Sequence, residues 1–225
     1  MKRLFAILIC SSFVLTASAQ DLTILHMNDT HSHVDPERGG KLAGRGGVIE
    51  QALYIDEVRA EQGKKNVLLL HAGDFSQGSS YFTELNGDLE IDVLNACRYD
   101  AVCLGNHEFD NGIEELARRL GNLKVPVVCA NYDFSATPLA EYVRPYVILK
   151  KAGLKIGIIG LLTDLSEVVN SDIAAQLKYQ YPVDVTNRYA RYLKEEKDCD
   201  LVICLTHLGF EDESYTDVMM APLTR

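Results

Sequence analysis

The 225 residues contain no C-x-x-C pair, and this argues against a zinc knuckle. Apart from Cys10 near the start, the cysteines are Cys97, Cys103, Cys129, Cys199 and Cys204. Their odd number and their place in or beside apolar segments read as small buried hydrophobes rather than a disulfide framework. Positive charge is also scarce. Twenty-two Lys and Arg stand against 32 Asp and Glu, for a net charge of −10. A nucleic-acid polymer or an anionic membrane is a poor partner for such a surface. A small phosphorylated substrate is still acceptable if bound cations reverse the charge locally. Beyond the first residues no apolar run reaches the length of a membrane span, so stable membrane insertion is not expected. Internal repeats and low-complexity tracts are lacking as well.

The first residues have the layout of an export signal. Lys2 and Arg3 form a basic start, residues 4–15 are mostly apolar, and Ala17-Ser18-Ala19 offers an A-x-A cleavage site. The expected division is a signal peptide at residues 1–19, cut after Ala19, and one domain over residues 20–225. The mature protein would then be periplasmic or secreted.

Within that domain, apolar runs alternate with segments of helical spacing. Residues 22–27, 67–72, 101–104, 127–130 and 201–205 read as strands. Residues 48–62, with Ile49, Leu53 and Val58 apolar, and residues 89–98, 113–123 and 183–197 read as helices. Residues 146–149 and 154–161, joined at Lys150 to Gly153, read as a β-hairpin, whereas residues 161–178 carry little signal. The tail from residue 211 has helical possibilities. The alternation predicts an α/β architecture with helix-covered sheets. The hairpin predicts a mixed sheet or a second sheet. In such folds sites form beyond the carboxyl ends of strands.

Four strands end in residues that can bind metal or phosphate. Asp29 and His31 follow the first run, Asp74 the second, Asn106 the third, and His207 the last. Singly, each is compatible with a loop or helix-cap role. The coincidence of four strand ends points to a metal site. Oxygen and imidazole donors without thiolate suit Zn²⁺, Mn²⁺ or similar ions. Asp29 and His31, at i and i+2, would project the same way from an extended segment. The carboxylate of Asp74 can bridge two ions, and Asn106 offers a neutral oxygen. Two divalent ions against two carboxylates leave a positive balance that accepts phosphate and activates a shared water. Beside Asn106, His107 is free for substrate, and Asp110 can orient its far ring nitrogen. The catalytic candidates are therefore His107, Asp110 and Asn106. Other polar residues read as structural. His26 and His71 fall inside apolar runs as core or hydrogen-bonded residues, His33 lines the loop, and Arg45 tethers its loop through an ion pair. Asn131, Asp133 and Asp164 are structural or close to the substrate.

LTILHMNDTHSH (22–33), HAGDFSQGSS (71–80), GNHEFDNG (105–112) and LTHLG (205–209) stand in one order. With these motifs the chain resembles the calcineurin-like metallophosphoesterases, and within them the secreted 5′-nucleotidase and UDP-sugar hydrolase branch. The resemblance implies a four-layer α/β/β/α sandwich. It also implies metal-assisted hydrolysis of phosphate esters, nucleotides above all. It assigns Asp29, His31 and Asp74 to one metal, Asp74, Asn106 and His207 to the other, and His107 with Asp110 to catalysis. The family's later G-H-x-H motif and its nucleobase-binding domain do not occur before Arg225. The resemblance therefore implies a sandwich incomplete at its C-terminus and a missing substrate-binding segment. A non-catalytic metal-binding remnant is the alternative reading.

Overall fold

The computed structural model describes residues 21–209. The expected signal peptide, its cleavage site and the tail beyond residue 209 lie outside the described residues. The chain runs β1 (Thr23–Met27), α1 (Gly47–Gln62), β2 (Val67–His71), α2 (Ser80–Leu85), α3 (Asp88–Cys97) and β3 (Ala101–Cys103). It continues through α4 (Ile113–Leu120), β4 (Val127–Val128), β5 (Tyr132–Asp133), β6 (Val143–Arg144), β7 (Tyr146–Lys151) and β8 (Leu154–Leu162). It closes with α5 (Ser171–Ala174), β9 (Lys178–Tyr179), α6 (Pro182–Glu195) and β10 (Leu201–His207).

One sheet is parallel, in the order β1-β2-β3-β4-β6. A second has the order β10-β8-β7, with β10 parallel and β7 antiparallel to β8. The expected hairpin is thus present, with Ala152 and Gly153 at positive φ in its turn. A short antiparallel pair joins β5 to β9 at the end of the stretch of weak sequence signal, which itself holds α5.

Three apolar clusters fill three gaps. One lies between the parallel sheet and α1, α3 and α4, with Leu69, Ile91, Val102 and Leu116 in it. The second lies between the sheets, where Leu68, Leu70 and Cys103 meet Ile156 and Ile158. The third packs α6 on the second sheet through Ile159, Leu161, Val185 and Leu193. The layers are α/β/β/α, a mixed α/β fold. The sheets approach so closely at Gly160 that a Cβ there would overlap the backbone of Val128. Asn131 stitches the same seam: its amide donates to the Leu162 carbonyl (2.6 Å) and accepts from the Leu162 N–H (2.9 Å). Its role here is structural, as is that of Asp133, which accepts from Ser135 N–H in a turn, and of Asp164, which caps a 3-10 turn through Ser166 N–H.

Some sequence expectations do not survive. The helix α1 forms, but Ile49 and Leu53 on it are exposed while Ile55 and Arg59 are buried. Arg59 is accommodated because its guanidinium donates to the carbonyls of Cys97 and Arg98, at 2.7 and 2.8 Å. His26 is exposed rather than in the core. It lies on β1, an edge strand among the described residues, and lines a cleft of about 540 Å³ with β10. Arg45 makes no ion pair among the described residues; it holds its loop through backbone bonds to Glu37 and Leu42. All five described cysteines are free, and four of them are buried. No described helix is long and apolar enough to cross a membrane.

Candidate metal centre

The loops after β1 and β2 run side by side. Asp29 N–H donates to the Gly73 carbonyl (3.0 Å), His31 N–H to Asp74 (3.1 Å) and Ser32 N–H to Phe75 (3.1 Å). The expectation that Asp29 and His31 project together from an extended segment is incorrect. Strand β1 stops at Met27, and Asp29, His31, Ser32 and Asp74 all have left-handed φ, between 43° and 53°. Non-glycine residues adopt this region at a cost and only when neighbours enforce it. Here the paired loops enforce it. The side chains still converge, with His31 Nε2 3.5 Å from Asp29 Oδ1 and 4.0 Å from Asp74 Oδ2.

Asp74 is the hub. It is 4 % exposed. Its Oδ2 lies 3.1 Å from His207 Nε2, and its Oδ1 accepts the His107 N–H at 2.9 Å. His207, the last residue of β10, donates from Nδ1 to the Ala72 carbonyl (2.9 Å), which turns Nε2 toward Asp74. Burial opposes a proton on His207, but the Asp74 carboxylate outweighs it and lifts the imidazole to about 9. Burial pushes the Asp74 carboxyl up, yet His207 and the His107 N–H hold it below the usual range.

Two donor groups share Asp74: Asp29 with His207, and His31 with His107. In each group the ligand atoms lie within 4.8 Å of one another. Asn106 sits between two backbone contacts to Asp74, those of Gly105 and His107. A Cβ on Gly105 would overlap the Asp74 amide and carboxylate, and one on Gly73 would come within 2.6 Å of Gly105 N. Glycine is therefore required at both positions for the two loops to touch. Gly105→Ala is expected to lower the melting temperature by at least several degrees and to abolish metal retention, checked by calorimetry and elemental analysis.

His107 donates from Nδ1 to Asp110 Oδ2 at 2.9 Å, leaving Nε2 free. Burial lowers the basicity of His107, and the pairing with Asp110 reverses this, so its pKa is raised. The N-cap of α4 is Gly112, so Asp110 is available for this pairing. His31 and His107 meet ring to ring in an edge arrangement, 5.3 Å between centroids. His33 points elsewhere, 3.4 Å from Glu37. His71 is buried and hydrogen-bonded, as expected. It accepts from Gly73 N–H and contacts Thr30 Oγ1 at 3.1 Å, and burial lowers its pKa to about 3.

Sequence reasoning missed two supporting residues. Glu108 is fully buried and accepts three backbone N–H groups: Asp74 (2.9 Å), Ser76 (3.0 Å) and Gly105 (2.6 Å). Burial pushes its carboxyl up, and the three donors oppose this. One side chain thereby locks the loops after β2 and β3 together. The signal for it was the last letter of G-N-H-E. Arg119, also fully buried, donates to Ser76 Oγ (2.9 Å) and the Glu108 carbonyl (2.6 Å). In sequence it reads as one of two adjacent surface arginines, and nothing local marks it.

Residues 22–222 match the family model described as calcineurin-like phosphoesterase. The chain belongs to this family. Among curated phosphoesterase relatives, it is 36 % identical over 210 residues to a probable 5′-nucleotidase of Treponema pallidum, covering 90 % of this chain and 35 % of that protein. Against the snake venom 5′-nucleotidase of Crotalus adamanteus it is 35 % identical over 217 residues, covering 92 % and 36 %. Among solved structures, the 5′-nucleotidase precursor from Thermus thermophilus superposes with a TM-score of 0.75 at 34 % identity, covering 84 % of this chain and 37 % of that one. The chain spans just over a third of the length of these relatives.

Proposed function

We propose that this chain forms the metal-binding and catalytic part of an exported phosphohydrolase that cleaves small phosphate esters, 5′-nucleotides foremost. The observation that carries the reading is Asp74. A single buried carboxylate lies within reach of Asp29, His31 and His207, while His107, oriented by Asp110, leaves Nε2 free beside it. The names of the relatives support a nucleotide substrate. The basic start, apolar run and A-x-A site within residues 1–19 support export.

The donor chemistry fits divalent ions: carboxylates and imidazoles, held in place without thiolates. Asp29, His31 and Asp74 would hold one ion, and Asp74, Asn106 and His207 the other; proximity alone groups Asp29 with His207 and His31 with His107, and this division instead keeps His107 for the substrate. Bound there, divalent cations supply Lewis-acid activation of water and of the phosphoryl oxygens. The chain's own residues then do the following. Asp74 fixes the separation of the two donor groups. His207 keeps Nε2 forward because its Nδ1–H is held by Ala72. His107 presents its Nε2–H to the ester. As the oxygen of water bonds to phosphorus and gives up a proton to solvent, the P–O ester bond breaks and the His107 proton passes to the departing alkoxide; the imidazole then regains a proton from solvent. Asp110 stabilises the imidazolium beforehand and restores its orientation afterwards.

The test is phosphate release by the full-length protein with Mn²⁺, from AMP, UDP-glucose, a 2′,3′-cyclic nucleotide and an aryl phosphate. AMP is expected to be hydrolysed fastest, chelation to stop the reaction and Mn²⁺ to restore it. Stoichiometric metal with no release from any ester would make the chain a non-catalytic binding module instead.

Metal uptake should also release a proton. In the metal-free protein His207 titrates near 9, so at neutral pH it is protonated and must lose that proton to become a ligand. Apparent Mn²⁺ affinity is therefore expected to rise with pH and to level off above about 9. Titration calorimetry in buffers of different ionisation enthalpy measures the proton directly.

A further inference from the structure

Behind the loop that carries Asp29 and His31 lies a cavity with about 30 Å³ of room for water centres. Glu90, in the first turn of α3, lines it. This side chain is 4 % exposed, and neither carboxylate oxygen has a hydrogen-bond partner in the protein. Ser32 lines the same cavity, is 3 % exposed, and its hydroxyl also has no partner. Leaving buried oxygens unpaired is unfavourable, and native proteins rarely do so. His71 Nε2 pairs with Thr30, and the terminal nitrogens of Arg119 go to Ser76 and Glu108, while Arg119 Nε is itself buried without a partner.

A carboxylate only accepts hydrogen bonds, so whatever completes this site must donate. Water does so, and a water needs on the order of 10–15 Å³ of such volume, which gives room for about two. The other walls are apolar at Val34, Phe75, Val93 and Leu94 and polar at Thr30, Gln51 and Tyr99. Thr30 and Tyr99 already pair with His71 and Met27, which leaves fewer oxygens than the roughly six that a hard cation takes. We propose that this cavity is a built water site, and that water bridging the Glu90 carboxylate to the Ser32 hydroxyl sets the pose of the Asp29–Ser32 loop. That loop is strained at Asp29, His31 and Ser32 and is held on one side by the backbone beyond β2. The water holds it on the other. Glu90 is thus a positioning residue that acts through Ser32 on His31.

The test uses the full-length protein with Glu90→Leu, Glu90→Gln and Ser32→Ala. A crystal structure that resolves solvent is expected to show water within hydrogen-bond distance of both Glu90 and Ser32, lost in Glu90→Leu. Calorimetric titration of metal-stripped protein with Mn²⁺ is expected to show affinity roughly tenfold or more weaker in Glu90→Leu. Glu90→Gln keeps an acceptor oxygen and should retain most of the affinity. Ser32→Ala should fall between, and it carries the test if Glu90→Leu does not fold. A dry cavity, or an ion with oxygen contacts of about 2.3–2.6 Å, overturns the proposal. So does Mn²⁺ affinity in Glu90→Leu and Ser32→Ala equal to that of the wild type. The affinity arm rests on the metal reading of the site. If the wild-type protein binds no Mn²⁺, that reading fails, and the crystal structure still decides the water.

Discussion

Asp74→Asn removes divalent metal from both donor groups and lowers phosphate release by roughly 10³-fold or more, equivalent to about 4 kcal/mol. Asparagine is the informative substitution because Asp74 has φ 53°, a region that asparagine adopts more readily than alanine. The shape of the side chain and its acceptor for His107 N–H are kept. The charge is lost, and with it the shared ligand. Asp74 Oδ2 is the atom that both His207 and His31 face. With a neutral amide there, the two imidazoles have no anion between them, and bringing cations to that point gains little Coulomb energy. Elemental analysis after gel filtration measures the metal, and circular dichroism checks that the fold persists. A folded variant that retains two equivalents of metal would remove Asp74 from the centre of the site.

His107→Ala is expected to behave in the opposite way, with metal content unchanged and kcat lower by roughly 10²–10⁴-fold. His107 is tied to Asp110 through Nδ1, and its backbone N–H to Asp74. Alanine keeps the backbone bond, so the contact between the loops after β2 and β3 survives. What is lost is the proton donor and its charge at the ester. Asp110→Asn should produce a smaller drop, because the imidazole remains but its tautomer and raised pKa are no longer enforced. The distinction matters because a His107 ring nitrogen lies within 4.8 Å of ligand atoms of Asp74 and His31. Loss of metal in His107→Ala would place it among the ligands and overturn the division of roles.

The comparison of His26 with His71 shows how far a sequence can be read. Both lie in apolar runs, and local hydropathy assigns both to the interior. Only sheet order separates them: β2 has neighbours on both sides, whereas β1 is an edge among the described residues. The D-x-H motif gives a second example. Its residues and their convergence were legible, but the geometry was not. The extended segment expected from spacing is a strained turn held by β2-loop carbonyls far away in sequence. Arg59 and Arg119 are a third. A buried guanidinium looks like a surface charge until its acceptors, the Cys97 carbonyl for Arg59 and the Ser76 hydroxyl for Arg119, are in place from dozens of residues away.

By itself the sequence determined the α/β alternation, the four strand ends and the residue types that meet there. These follow from local chemistry: apolar runs make strands, and Asp, His, Asn and Gly after them make ligand-bearing turns. Only the tertiary structure decided what holds those turns. Glu108 locks two loops with one carboxylate, Gly73 and Gly105 let them touch, and Glu90 faces the cavity behind Ser32. Those roles depend on which backbone N–H groups and which voids lie nearby. Packing sets that, and no window along the chain contains it.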